Sequence, residues 1–297
     1  MKIKASILVT NYNHGIYLRQ CIQAIYSQSI PPLETILVDD ASTDNSKEII
    51  HELQKEYPTL RLILNETNIG PANAMNKAIL AARGEYIVLA AADDYLLPGL
   101  IEEGTKLLDS YPDAAICCSK PSMFHVDKPD SIWVKNICQS VKPLYIPPDA
   151  ILKHYLKGPL WIPTHASLYR RKYVIQYGSL DNHLKHICDW YLNSKIALNH
   201  GIVYTPSSFG AFRISPQSYG STWGRSYRKK IAVYKRLFSL LLEEPKQFQN
   251  RFRAAGVLGL IGSDVLLYLL AHIRLWKFIP HFLFRKFNNL LEKVRNQ

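Results

Sequence analysis

Short apolar runs that stop at polar residues recur through the first 120 or so residues. Ala5-Ser6-Ile7-Leu8-Val9-Thr10 is apolar and β-branched and stops at Asn11-Tyr12-Asn13, the pattern of a strand buried on both faces. Leu18, Cys21, Ile22 and Ile25 then fall at helical spacing over residues 16–29, and Pro31-Pro32 ends that helix. Glu34 to Val38 repeats the strand pattern and stops at Asp39-Asp40. Ser42-Thr43-Asp44 offers helix caps, and Ile49, Ile50 and Leu53 supply an apolar face. Leu60 to Leu64 reads as a third strand. Asn68-Ile69-Gly70-Pro71 opens a helix whose stripe is Met75, Ala78, Ile79 and Ala82. Tyr86 to Ala91 is a fourth strand, stopping at Asp93-Asp94. Pro98 starts a helix, and Ala114 to Cys118 closes the series.

Strands alternating with helices through short connections predict an α/β fold with a mostly parallel sheet flanked by helices. In an open sheet of this kind, ligands bind beyond the carboxyl ends of the strands. That edge gathers Thr10, Asn11, Tyr12, Asp39, Asp40, Asp93 and Asp94.

Residues 119–224 are rich in Pro, Trp, Tyr and His and weak in periodicity, as expected of an irregular layer that shapes a pocket. Near its end a short helix is predicted over Ile187 to Ala197. Residues 225–297 read as a helical extension, with Tyr227, Ile231, Tyr234, Phe238 and Leu241 on one stripe. The division is therefore 1–118, 119–224 as the second half of the same domain, and 225–297.

Charge sharpens that division. The chain has 297 residues and a net charge of +12. Residues 1–224 carry 21 Lys/Arg and 20 Asp/Glu, whereas residues 225–297 carry 15 and 4. A nearly neutral body with a basic extension points to an acidic partner, with a phospholipid surface ahead of nucleic acid. No recognisable nucleic-acid module accompanies the charge. Five scattered cysteines without a Cys-x-x-Cys pair argue against a disulfide scaffold or a zinc site and for a reducing compartment. The amino-terminal apolar run is too short and interrupted for a signal peptide, so a cytoplasmic protein is expected. Residues 254–273 are long enough to span a bilayer, but Asp264 lies mid-segment, at roughly 2.5–3.5 kcal/mol on insertion scales. Peripheral contact at the inner face of the plasma membrane is the expectation, through basic residues interleaved with Phe, Trp and Tyr, ahead of a soluble helix packed on the body. The same extension would equally serve a homodimer.

Asp93-Asp94 is the sharpest chemical feature. Adjacent carboxylates at a strand end repel unless a cation sits there, and hard oxygen ligands suit Mg²⁺ or Mn²⁺. The alternative is a solvated pair capping the next helix. Asp39-Asp40 could accept from a base or ribose, or cap a helix. Tyr12 could stack on a base, or simply pack.

In order and spacing, five strings resemble glycosyltransferase family 2, which has the GT-A fold. They are Ser6 to Asn13, Val38 to Asp44, Asn68-Ile69-Gly70 with Asn76, Gly84 to Ile87, and Ala92-Asp93-Asp94. The resemblance covers residues 3 to about 120. It implies an inverting transfer from a nucleotide-diphosphate sugar, UDP-linked through Asp40. It makes Thr10, Tyr12 and Asp40 nucleoside contacts, Asp93 the ribose or diphosphate-side carboxylate, and Asp94 the ligand of Mn²⁺ or Mg²⁺. Relatives often have three carboxylates or Asp-x-Asp here, so Ala-Asp-Asp leaves Asp94 most of the metal binding.

The second half is less similar. His186-Ile187-Cys188-Asp189-Trp190 resembles the segment with an acidic pair, and Asp189 keeps the general-base carboxylate. Trp161 to Arg171 resembles an acceptor-side strand. Phe212 to Ser218 resembles the arginine-containing loop over the diphosphate, with Arg213 as a second positive contact and Ser215 where relatives often have His. Trp161, His165 and Trp190 are acceptor-binding candidates or core residues. The implied reaction is one displacement, with Asp189 taking the acceptor proton. The expected acceptor is a glycan or a lipid-linked acceptor, in cell-surface polysaccharide or lipid-linked glycan assembly. Cys188 also admits a second reading, a non-catalytic member that binds nucleotide sugar or docks at a membrane. A nucleotidyltransferase would want a Gly-rich basic loop after the first strand, which Asn11 to Gly15 does not supply.

Overall fold

The computed structural model describes residues 4–216, 218–219 and 226–295, side chains at 289 and 291–295 aside. The predicted boundary at 224/225 lies outside the described residues. The apolar runs form β1 (Ala5–Asn11), β2 (Glu34–Asp39), β3 (Leu60–Leu64) and β4 (Tyr86–Ala91), paired in parallel in the order β3-β2-β1-β4. Between them run α1 (Gly15–Tyr26), α2 (Ser46–Glu56) and α3 (Pro71–Ala81).

Successive β1 residues point to opposite faces. Ile7 and Val9 pack with Leu18 and Ile22 of α1, with Ile50 of α2, and with Leu100 and Leu108 of α4 (Leu100–Ser110). Leu8 packs on the other face with Met75 and Ala78 of α3. Cover on both faces keeps water from β1, β2 and β4, which explains their unbroken apolar runs.

The described residues 119–216 continue the sheet rather than lying over it. β6 (Ile116–His125), β9 (Ser167–Arg170) and β10 (Ile202–Ile214) extend the order to β4-β9-β6-β10, followed by the two-residue β5 (Tyr95–Leu96). β7 (Lys128–Val134) and β8 (Leu144–Ile146) pair with β6 and β10. The pairing hid from periodicity for a local reason. β10 shifts register between Thr205 and Ser208 and again between Ser208 and Gly210, around Pro206, which erases its period-two signal. Helices α5 (Pro148–Lys157) and α6 (Arg171–Gln176) precede α7 (Cys188–His200), which runs three residues beyond the expected end.

The extension begins with helix Tyr227–Glu243, which buries Tyr234, Leu237, Phe238 and Leu241; Tyr227 and Ile231 of the expected stripe are 38% and 41% exposed. Residues 254–273 do not form one helix. Positive φ at Gly256 (61°) and Gly262 (119°) breaks them, leaving a 3-10 turn and a six-residue helix, Val265–Leu270. No helix among the described residues is long and apolar enough to cross a membrane. Gly256 and Gly259 admit helix Ile279–Arg295: a Cβ on Gly259 would stand 2.6 Å from Arg285 Cγ.

Ala41 has a φ of 61°, in the left-handed region that a Cβ disfavours. Ala41→Gly is therefore expected to stabilise the fold by about 1 kcal/mol, read as a higher denaturation midpoint at unchanged m-value. A lower midpoint would contradict the strain.

Candidate active site

The parallel strands end at one edge, and their last residues lace two loops together. Asn11 Nδ2 donates to Asp39 Oδ1 (2.7 Å) and Ser42 Oγ (3.1 Å). Asp39, fully buried, also accepts from the Ser42 N–H and hydroxyl. Asn13 Oδ1 accepts from the Thr43 and Asp44 N–H groups, while Asp44 accepts from Gly15 N–H and Ser46 N–H. The residues expected to cap α2 thus hold the β1 loop as well, and Asp39 is a structural tie.

Asp40 differs. Its Oδ1 accepts from Asn65 Nδ2 (2.8 Å) and Ile69 N–H (2.9 Å), and its Oδ2 from Gly70 N–H (2.8 Å). Three donors fill all but one of the roughly four lone-pair sites, leaving acceptor capacity on Oδ2. Thr10 and Tyr12 lie beside it at the end of β1, joined through Asp40 N–H to the Asn11 carbonyl. Thr10 is half-buried, and the Tyr12 ring is 44% exposed, open to a ligand.

Asp93 and Asp94 turn directly off β4. Arg213 of β10 clasps this turn: its N–H donates to Asp94 Oδ1 (2.7 Å) and its Nε to the Asp93 carbonyl (2.8 Å). Its Nη2 donates to Gln20 of α1 (2.8 Å), and its guanidinium lies over the Tyr17 ring. Burial, and then the adjacent Asp93 charge, push the Asp94 carboxyl well above the usual range, opposed in part by Arg213. Asp94 Oδ2 takes no protein hydrogen bond among the described residues. Two hard-oxygen donors short of positive charge fit a divalent cation. Among the described residues no third His, Cys, Asp or Glu completes a cluster, so further ligands would have to come from substrate or water.

Asp189 opens α7. Its Oδ2 accepts from Thr164 Oγ1 (2.7 Å), which in turn accepts from Asn193 Nδ2 (3.1 Å). The next residue, His165, is buried, and its Nδ1 accepts from the Ala91 N–H at the end of β4 (3.4 Å). The Thr164–His165 step therefore joins the Asp189 carboxylate to the strand that carries Asp93-Asp94. Burial holds His165 neutral, with its pKa lowered to about 4. A Cβ on Gly210 would stand 2.9 Å from the His165 ring, so β10 needs glycine there.

The aromatic candidates divide. Trp161 is half-buried against Phe212 (ring centroids 6.1 Å), with the Lys135 ammonium 4.6 Å from its ring. His165 packs edge-on against the same Phe212, beneath the surface. Trp190 points the other way, edge-on to Phe252 of the extension (5.8 Å). The thiol of Cys188 is pushed up by burial and by Asp189, which makes it a poor nucleophile. Asn193 and Lys135 carried no sequence signal and Thr164 only its place in the Trp161 to Arg171 string, because only tertiary pairing brings them to the site.

A family model described as "Glycosyl transferase family 2" matches residues 6–178. The uncharacterized protein Rv1520 of Mycobacterium tuberculosis is 31% identical over 217 residues, covering 70% of this chain and 58% of that protein. The chain thus spans little more than half of that relative's length. TarS of S. aureus, residues 1–349 in complex with UDP-GlcNAc, superposes with a TM-score of 0.59 at 17% identity over 98% of this chain and 92% of that one. The mannosyltransferase PcManGT from Pyrobaculum calidifontis, in complex with GDP-Man and Mn²⁺, does so with a TM-score of 0.58 at 18% identity over 99% and 88%. These likenesses give the fold, that of the GT-A glycosyltransferases.

Because the Asp94 pKa is raised, ionising it destabilises the fold. That burden is absent at low pH and grows as pH rises from the unfolded value towards the raised folded one. Asp94→Asn should therefore stabilise the metal-free protein by about 1 kcal/mol at pH 7 and by much less at pH 4. Denaturant titrations in chelator at both pH values check this; equal effects would contradict it.

Proposed function

The chain belongs to glycosyl transferase family 2, and from that we propose that it transfers a sugar, with inversion, from a nucleotide-diphosphate sugar to an acceptor hydroxyl. The observation that supports this reading is the chain of links at one sheet edge: Asp40 N–H donates to the Asn11 carbonyl, Ala92 N–H to the Thr10 carbonyl, and the Thr164–His165 step joins Asp189 to Ala91.

Asp40 offers its remaining acceptor capacity to a base N–H, which favours uracil, and Tyr12 offers a ring face. Thr10 is assigned to the nucleoside and Asp93 to the ribose or diphosphate side. Asp94, with Asp93, would hold Mn²⁺ or Mg²⁺, which neutralises charge developing on the leaving diphosphate. Arg213 brings fixed positive charge to the same side.

Asp189 is the proposed general base. The Thr164 hydroxyl donates to one of its oxygens, Oδ2, and the Trp190 N–H donates to the other, Oδ1, at 2.8 Å. The carboxylate is thereby oriented while keeping lone pairs for the acceptor hydroxyl. It takes the proton as the new glycosidic bond forms and the bond to the diphosphate breaks. Much of the remaining acceleration is the alignment of two substrates. Trp161 supplies a stacking face for an acceptor ring. His165, buried and neutral, is a positioning residue between β4 and β10.

The extension supports contact with a lipid surface at the inner face of the plasma membrane. Leu267, Ile273, Trp276 and Phe287 are between 50% and 73% exposed, with Arg274 and Lys277 among them. Exposed large apolar residues interleaved with cations bind at an anionic lipid–water interface. Such placement fits cell-surface polysaccharide or lipid-linked glycan assembly.

Asp189→Asn should lower turnover by about 10²- to 10⁴-fold while donor-nucleotide affinity stays within about twofold of wild type. A steady-state assay of nucleoside diphosphate release, paired with a binding titration, measures both. Unchanged turnover would overturn the base assignment.

A further inference from the structure

Strands β10, β6 and β7 lie side by side, and their registers fix which residues share a face. Phe212 of β10 stands opposite Met123 of β6, and Met123 opposite Trp133 of β7. Partners across a ladder point to one face, so these three side chains form a row. Two residues along, the next row on that face is Gly210 and Pro121, closed by Lys135, whose N–H donates to the Pro121 carbonyl (3.0 Å). Glycine and proline leave this row low. The segment that carries Trp161 crosses there: a Cβ on Gly210 would stand 2.9 Å from the His165 ring. Trp161 meets Phe212 of the first row (ring centroids 6.1 Å) and the Lys135 ammonium of the second (4.6 Å). Trp133 stands two residues before Lys135, about 7 Å along the strand. One ammonium thus sits beside two indoles.

Lys135 has no counter-charge. Lys4 and Lys195 each hold a carboxylate, Asp109 and Glu244. Among the described residues the Lys135 ammonium makes no ion pair and no hydrogen bond, only its contact with the Trp161 ring. The residue is exposed, yet the surrounding protein displaces enough water from the ammonium to lower its pKa. An ammonium in that setting gains more from an anion than a fully hydrated one does. The strip also leads to the proposed base. Asn193 Nδ2 donates to the Ile162 carbonyl (3.3 Å) and Thr164 donates to Asp189, so the segment that follows Trp161 is fixed to α7. At the other end Trp133 is 39% exposed.

The geometry points to a saccharide chain that carries a carboxylate, with one sugar ring on Trp161, the carboxylate on Lys135 and the chain continuing over Trp133. Its role as the acceptor rests on the transferase reading; its existence as a binding site does not. Sugar rings present apolar C–H faces that lie flat on indoles, and a compact ammonium is a point charge that matches one carboxylate. A phosphate would draw several cations, whereas the strip offers one lysine. Lys135 is thus a specificity-determining residue: it selects an acidic chain over a neutral one, while the two indoles hold either.

The test is calorimetric titration of tetragalacturonic acid into the full chain, with its methyl ester, which keeps the chain and removes the charge, as comparator. UDP is titrated into every variant as well. The wild type is expected to bind the acid about fivefold more tightly than the ester. Lys135→Gln, at an exposed position, should bring that ratio to about one, and Lys135→Arg should keep it. Trp133→Ala should weaken both ligands by about fivefold at an unchanged ratio. Equal binding of acid and ester by the wild type, binding of neither, or an undiminished preference in Lys135→Gln would overturn the proposal. If UDP fails to bind the wild type while the acid binds and Lys135→Gln loses the preference, the strip stands as a saccharide site and its acceptor role falls.

Discussion

The clasp between Arg213 and the Asp93-Asp94 turn is the contact on which the rest of the site depends. Two adjacent carboxylates at a strand end are unfavourable wherever they are shielded from water, and the protein accepts that burden in the metal-free state. It does so by holding the turn from β10, a strand more than a hundred residues away in sequence, with one backbone and one guanidinium hydrogen bond. The same guanidinium reaches Gln20 of α1 and packs on Tyr17, so the sheet's late strands and its first helix are joined at the site itself. A cation and a diphosphate would relieve the repulsion that the clasp contains, which couples ligand binding to local stability.

A second set of ties decides which carboxylates remain available for chemistry. Asp39 spends its oxygens on Asn11 and Ser42, and Asp44 on Gly15 and Ser46; both are loop architecture. Asp40, Asp94 and Asp189 each receive enough hydrogen bonds to be oriented and keep acceptor capacity in reserve. Orientation without saturation is what a binding or proton-accepting carboxylate needs. Neighbouring aspartates thus take opposite roles because their local donors differ.

The first half of this arrangement was legible in the sequence because it is built from local signals. Runs such as Ser6 to Thr10 are buried on both faces, and the chain turns polar where each strand leaves the sheet. The second half was not, because β10 is bent by two register shifts around Pro206 and its partners are distant. Asp189 stands in a motif, whereas of the two residues that orient it Asn193 has no sequence mark and Thr164 only a place in the Trp161 to Arg171 string. The apolar span 254–273 read as one segment until Gly256 and Gly262 were seen in left-handed conformations that divide it. Trp190 illustrates the limit of residue type as a guide: an indole next to the base turns inward to Phe252.

The basic extension is bound to this chemistry rather than appended to it. Phe252 packs against α7, Arg251 donates to the Leu198 carbonyl, and Arg236 grips Asp181 just before the turn that leads to Asp189. Any surface that the extension meets is thereby held in fixed relation to the proposed base. The central claim is that Asp40 and Asp94 together make a nucleoside diphosphate site whose affinity depends on a cation. Calorimetric titration of UDP with and without Mn²⁺ tests it most directly. The account predicts binding that strengthens markedly when Mn²⁺ is present, and an absence of UDP binding under both conditions would contradict it.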